Sequence, residues 1–322
     1  MYARLPFLLS RALCLGPAVC AVAEHAPGQD HSCGIHSREC EFAPPNHQVP
    51  FHGTVPGQNR KRRGKVPRIL TYNVHRCLGT DGRLSPTRIA DVIAAFEPDV
   101  VALQELDVGR ARTGGVDQAH AIAKALGMQV HFHASLRVLE EEYGNAILTH
   151  RPSELVKAAA LPGLRGRPGL EPRGALWAAI NIGGTEVQVI NTHLGLRRHE
   201  RLAQVDALLG AHWLGHPACR EPVILVGDLN ATPRSRAYRR LAAHLWDAQA
   251  QVGPSRPKAT FPSRLPMLRL DHVFVSRAIR VLRVETVRTP LARVASDHLP
   301  LLVEFQVAQG KRHKPRLAYA QE

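Results

Sequence analysis

The sequence predicts an α/β protein in which mixed β-sheets are covered by helices. Three observations predict it. Short apolar runs recur from about residue 68 to residue 307, amphipathic segments of helical spacing fall between them, and one Gly-Gly pair joins two runs directly. Helical crossovers imply parallel strand pairs and a tight hairpin implies an antiparallel pair, so the sheets are mixed and the helices lie on their faces.

The elements follow in order. Ile69 to Val74 reads as a buried strand that delivers Asn73 and His75 to its end. A helix comes next: Ser85 caps it, Pro86 takes the first helical position, and Ile89, Val92, Ile93 and Phe96 share one face before Pro98 ends it. Val100 to Glu105 is a second apolar strand with a carboxylate at its mouth, where a buried acid is costly without a partner or a metal. A helix from about Val116 closes at Gly127, and strands near Val130–Phe132 and Ala146–Leu148 follow. Gly183-Gly184 turns Ala175–Ile182 back onto Glu186–Thr192. His199 to Trp213 is helical by spacing, and Val223–Val226 is a strand that opens onto Gly227-Asp228-Leu229-Asn230. Leu270–Val275 and Leu301–Val307 complete the set, and no internal repeat is visible.

These elements define one domain over residues 66–307, between an N-terminal tail of residues 1–65 and a basic C-terminal tail of residues 308–322. The N-terminal tail has no sustained periodicity. Its apolar run Ala12–Ala23 ends in Ala21-Val22-Ala23, which reads either as a weak export signal or as translation from a start codon upstream of the true one. No run of 18 apolar residues argues for a membrane span. The expected location is therefore cytoplasmic, with peripheral attachment to a membrane or export as alternatives. Nothing points to an obligate protein partner, and a monomer is expected.

The formal charge is +15, yet only seven of the 42 basic residues are lysine. That excess suits a polyanionic partner and equally suits an arginine-rich surface. The one dense run, Arg60 to Lys65, lies in the tail, and aromatic residues at 5% argue against base-stacking platforms. The six cysteines lack the paired short spacing of a zinc site, and Cys77 and Cys219 inside the domain read as bystanders.

Several strands end in the same kind of residue: Asn73, Glu105, His193, Asp228 with Asn230, Asp271 with His272, and Asp297 with His298. Polar residues at successive strand ends converge on one rim, where such folds place their sites. The set is oxygen and imidazole without thiolate, which suits Mg2+ or Mn2+. Taken singly, each strand-end Asn or Asp is also an ordinary turn residue.

The ordered motifs TYNVH at 71–75, LQE at 103–105, YGNAIL at 143–148, NTHL at 191–194, GDLN at 227–230, LDHVF at 270–274 and SDHLPL at 296–301 resemble the endonuclease/exonuclease/phosphatase superfamily. The resemblance implies a four-layer α/β sandwich, two mixed sheets packed face to face with helices outside. It also implies hydrolysis of phosphate esters by in-line attack of water, assisted by Mg2+ or Mn2+. By the same resemblance Glu105 is the principal metal ligand, with Asn73 and Asp297 near the ion. His298 contacts the scissile phosphate or acts as a base and is oriented by Asp271. Asp228 aligns or deprotonates water, Asn230 donates to a phosphate oxygen, and His193 protonates the leaving oxygen. Asn145 is either a substrate-side residue or a turn former, Arg173 either reaches a phosphate or lies on the surface, and His75 is either a site residue or a packing residue beside the rim. Asp107 and Arg110, close after Glu105, are expected to shape the pocket.

Departures from the family matter as well. Abasic-site endonucleases usually carry Thr-Lys after LQE and Cys after SDH, where this chain has Leu106-Asp107 and Leu299. The YGNAIL and SDHLPL forms look closer to sphingomyelinase-like members and to the soluble domain of glycosylphosphatidylinositol-anchor remodelling proteins. The expected substrate is thus a lipid-type or small phosphodiester, with a nuclease on DNA or RNA as the alternative and a catalytically silent binding module as a third reading.

Overall fold

The computed structural model describes residues 66–308 apart from 165, 168 and 254–257. The chain divides into two units, Met1–Arg60 and Lys61–Glu322, and all described residues belong to the second. The expected tail over residues 1–65 and the tail beyond residue 308 lie outside the described residues.

The strands are β1 (Arg68–Asn73), β2 (Val100–Val108), β3 (Gln129–Val138), β4 (Glu141–Thr149), β5 (Ser153–Ala160), β6 (Gly174–Ile182), β7 (Thr185–His193), β8 (Val223–Asp228), β9 (Trp246–Asp247), β10 (Asp271–Val275), β11 (Ile279–Thr286) and β12 (Leu301–Val307). They form two six-stranded sheets in the orders β11-β12-β1-β2-β4-β3 and β5-β6-β7-β8-β10-β9. Both sheets are mixed, because β1–β2 and β7–β8 are parallel while their other pairs run antiparallel.

Side-chain alternation builds the layers. Ile69, Val100, Ala102, Ile147 and Val303 of the first sheet pack against Leu176, Ala178, Val189, Ile224, Val226 and Val273 of the second. The intervening Leu70, Tyr72, Val101, Leu103 and Leu148 turn the other way, onto the helices α1 (Pro86–Ala94), α2 (Gln118–Leu126) and a short helical turn at Ala292–Ala295. Trp177, Ile190, Leu225 and Phe274 pack likewise beneath α3 (Arg198–Leu209) and α4 (Arg236–Ala242). Strands buried on both faces read as continuous apolar runs, which is how β1, β2 and β8 appear in the sequence. The expected four-layer sandwich is present. Fully burying an aliphatic side chain contributes about 1.5–3 kcal/mol, so these three apolar layers dominate the stability.

Local signals act as read. Ser85 Oγ accepts from Arg88 N at 3.1 Å, and Asp117 caps α2 in the same way at 2.9 Å. The spacing of His199 to Trp213 overstates its helix: α3 stops at Leu209, because Gly210 is extended, and Trp213 reaches the core from the turns that follow. The strands near Val130 and Ala146 are longer than their apolar cores, and β5 and β11 go unread. The β5 sequence is largely exposed, and its apolar residues are short pieces, Leu155-Val156 and Ala158 to Ala160, broken by Lys157.

Candidate active site

The pleat that builds the core also delivers the polar residues. Asn73, Asn191 with His193, Asp228 and Asp271 share the parity of the inter-sheet residues on their own strands, so their side chains enter the same gap at its open end. His272 has the opposite parity. It faces the helical layer, with its ring 5.1 Å from that of Tyr238, so the sequence reading that put it at the rim with Asp271 is corrected.

Glu105 arrives by a different device. Between the pairs Leu103–Ala146 and Leu106–Gly144, β2 has two residues and β4 has only Asn145, which makes a β-bulge. Glu105 itself has φ +62°, a left-handed conformation that costs a non-glycine residue about 1–3 kcal/mol. The bulge re-aims the carboxylate into the gap, where Glu105 Oε1 accepts from Asn73 Nδ2 at 2.9 Å. The same amide nitrogen donates to Asp228 Oδ2 at 3.0 Å, and Asn73 Oδ1 receives the N–H of His75. A left-handed turn at His75, Arg76 and Cys77 (φ 46°, 49° and 58°) brings His75 and Arg76 to the cavity wall.

Asp228 lies between two imidazoles. Its Oδ2 is 3.5 Å from His193 Nε2 and 3.7 Å from His298 Nε2. His298 Nδ1 is 2.8 Å from Asp271 Oδ2, and burial opposes its charged form, but Asp271, Asp228 and Asp297 outweigh burial and push its pKa up to about 10. Burial pushes the Asp228 carboxyl above the usual range. His193 has a different partner: Arg173 Nη1 lies 3.0 Å from its Nδ1. Burial, then the Arg173 and His298 charges, holds its pKa well below the ordinary value. Asn230, at φ +47°, sends its N–H to Asp228 Oδ1 at 2.8 Å and its Nδ2 to Leu194 O at 2.9 Å.

The resulting cavity has a volume of about 280 Å³ and is lined by Glu105, His193, Asp228, Asn230, Asp297 and His298 together with Arg76, Arg112, Tyr143, Glu171 and Arg173. Arg173 is only 7% exposed, so the surface alternative for it is replaced by a buried place in the wall. Asn145 is buried opposite the bulge, and its amide donates to Gly174 O at 3.3 Å, joining β4 to the start of β6. Asp107 is buried and held by Arg112 through two bonds of 2.8 and 2.7 Å, while Arg110 pairs with Glu141. Sequence reasoning missed Arg112, Tyr143 and Glu171 on the wall. It also missed Asn191, whose Nδ2 donates to Leu103 O and Ala146 O while its Oδ1 accepts from Gln104, pinning the bulged segment from across the gap. The NTHL motif contained that signal, since a buried Asn on a core-facing parity needs partners.

Ligand chemistry suits a hard divalent cation. Glu105 and Asp297 offer carboxylate oxygens to the cavity, and Asn73 offers an amide oxygen with a lone pair left beside its bond to His75. Among the described residues, Asp228, Asp271 and His298 are a group of ligand-type atoms within 4.8 Å of one another. Two of these three are already bonded to each other, which leaves that group less open than Glu105 and Asp297.

Fold and cluster together define a class, the hydrolases of phosphate esters built on a doubled mixed sheet. Residues 70–298 match the Endonuclease/Exonuclease/phosphatase family, and the chain belongs to it. Members of that family typically use divalent metals. The chain is 28% identical over 263 residues to the uncharacterized protein YbhP of Escherichia coli K12, covering 74% of this chain and 96% of that protein. It is similar in fold to the endonuclease/exonuclease/phosphatase from Beutenbergia cavernae DSM 12333, with TM-score 0.63 and 24% identity over 75% of this chain and 72% of the other. A mannosyl-6-phosphatase of Bacteroides thetaiotaomicron VPI-5482 is similar with TM-score 0.59 and 19% identity, over 74% and 99%. Among the described residues no helix is long and apolar enough to cross a membrane.

Proposed function

We propose that the protein is a divalent-metal-assisted phosphodiesterase acting on a lipid-type or small phosphodiester. The observation that carries the hydrolytic part is the placement of Asp228 Oδ2 between the two imidazole Nε2 atoms, beside the Glu105 carboxylate. A carboxyl raised by burial is suited to take the proton of an attacking water near neutral pH. Cationic His298, oriented by Asp271, faces the charge that develops on the phosphoryl oxygens, and Asn230 supplies an amide donor beside it. Mg2+ or Mn2+, held by Glu105 and Asp297 with Asn73, would neutralise phosphate charge there.

The lipid-type part is supported by the rim. Leu196, Leu265 and Met267 are exposed at 69%, 68% and 69%. Leu196 lines the cavity, and the segment bearing Leu265 and Met267 begins at Phe261, whose ring is 4.8 Å from that of His298. An exposed leucine in the cavity wall, with further bare apolar side chains on the segment that follows Phe261, suits a substrate with an apolar body. The nuclease reading draws on Arg76, Arg112 and Arg173 in the wall, which suit a polyanion.

The full-length chain is to be assayed with Mg2+ against sphingomyelin and phosphatidylinositol vesicles, plasmid DNA and RNA. Selective release of a lipid headgroup is the expected result. Cleavage of nucleic acid alone overturns the lipid assignment in favour of the nuclease.

A further inference from the structure

We infer that Arg173 is a positioning residue that fixes the tautomer of His193, so that the ring offers its Nε2–H as a hydrogen-bond donor to the phosphate ester. The inference rests on reading this cavity as a phosphate-ester site. Its physical basis is the direction of one hydrogen bond. Arg173 Nη1 lies 3.0 Å from His193 Nδ1. A guanidinium carries only N–H donors and keeps its proton at any pH a folded protein meets, so Nδ1 is the acceptor and the ring proton is on Nε2.

The geometry makes this contact persistent. Arg173 is buried, and its Nη1 is also bound to Glu171 Oε1 at 2.5 Å. Its carbonyl accepts Leu161 N at 2.7 Å just before β6 begins. His193 is the buried last residue of β7, so neither partner has room to swing away. Asn230 Nδ2 lies 3.0 Å from His193 Nε2 and would compete as a second donor. A primary amide can turn end for end, whereas a guanidinium has no acceptor end. Turning Asn230 would, however, set its Oδ1 against Leu194 O, to which Nδ2 donates at 2.9 Å, so the amide stays as it is. A neutral ring accepts at one nitrogen only, and the charged Arg173 takes that place and leaves the proton on Nε2.

The other face of the ring shows what the arrangement does. His193 Nε2 points toward Asp228 Oδ2 at 3.5 Å and Glu105 Oε1 at 3.9 Å, the region where the phosphoryl group would sit. The two site histidines thus have opposite partners on Nδ1, a carboxylate for His298 and a guanidinium for His193. Proton delivery to the leaving oxygen, the role that resemblance implies for His193, would need an imidazolium whose Nδ1–H faces a cation. A fixed N–H donor is the role this pairing permits.

The test is ring nitrogen–proton correlation NMR on 15N-histidine-labelled full-length protein at one neutral pH, with Arg173→Met and Arg173→Lys beside the parent, joined to kcat and KM on bis(4-nitrophenyl) phosphate. The parent is expected to show the proton on Nε2 of His193. Arg173→Met should lose that single tautomer and lower kcat roughly tenfold or more with a smaller change in KM, and Arg173→Lys should restore the tautomer. Unchanged His298 signals report that the variant site is folded. A proton on Nδ1 in the parent overturns the inference, with or without a folded Met variant, and so does an Arg173→Met protein with the parent's tautomer and kcat. The spectrum needs no substrate. A parent with the Nε2 proton that hydrolyses no phosphate ester therefore keeps the positioning role and rejects the functional reading.

Discussion

His298 Nδ1 and Asp271 Oδ2 lie 2.8 Å apart, and both side chains are buried. A carboxylate on Nδ1 fixes the ring so that Nε2 faces the cavity and Asp228. Among the described residues Asp271 Oδ1 has no hydrogen-bond partner, so the charge of this acid is not fully satisfied by the fold around it.

Asp271→Asn should therefore impair chemistry and spare the fold. Turnover is expected to fall on the order of 10²–10⁴-fold, the scale of orienting carboxylates elsewhere, with Tm within a few degrees of the parent. Steady-state kinetics and a thermal melt on one preparation check it, and undiminished turnover would remove the dyad from the account.

Glu105 trades stability for position. Glycine tolerates φ +62° without strain, so Glu105→Gly should fold within about 1 kcal/mol of the parent or above it, despite losing its bond to Asn73. It should show no metal-stimulated hydrolysis. Urea titration reads the first half of this expectation, and a variant that is much less stable would mean that the carboxylate serves the fold.

Asn191 belongs to the scaffold. Its three hydrogen bonds satisfy Leu103 O, Ala146 O and Gln104 across the gap, and Asn191→Ala strands those groups. The expected loss is about 2–3 kcal/mol in a denaturant melt. A loss below about 0.5 kcal/mol would show that water replaces the amide.

His272 gives the fold a pH dependence away from the site. Burial, with the Arg269 charge second, pushes its pKa down to about 4, against about 6.5 when unfolded. The folded ring binds a proton less readily than the unfolded one. Its contribution is therefore whole above pH 6.5 and is lost as pH falls from there toward 4, by up to about 3 kcal/mol. Urea midpoints at pH 7.5 and pH 5 should differ in the parent, and less so in His272→Gln. Equal slopes in the two proteins would assign the effect to another group.

How far the sequence could be read follows from the physics of each residue. Asn73, Asp228 and Asp271 were legible because a polar residue at the end of an apolar strand interrupts a strong local pattern. Whether such a residue faces the gap depends on parity, and Asp271 and His272, adjacent and both polar, could only be separated by seeing which neighbours each meets. The bulge that aims Glu105 depends on the register against β4, a long-range fact that no window of sequence contains. Arg173 was one arginine among many, and its burial comes from the turn of chain that lays it against β7. Strand β11 alternates buried and exposed residues and β5 is mostly exposed, so neither forms the long unbroken apolar run of β1, β2 or β8.

The central claim is that this cavity hydrolyses phosphate esters with a divalent cation. The direct measurement is hydrolysis of bis(4-nitrophenyl) phosphate by the full-length protein with Mg2+, with Mn2+ and with EDTA, beside Asp228→Ala of equal thermal stability. The account predicts turnover with either cation that is abolished by EDTA and by the substitution. Turnover that persists in EDTA, or that is equal in Asp228→Ala, would contradict it.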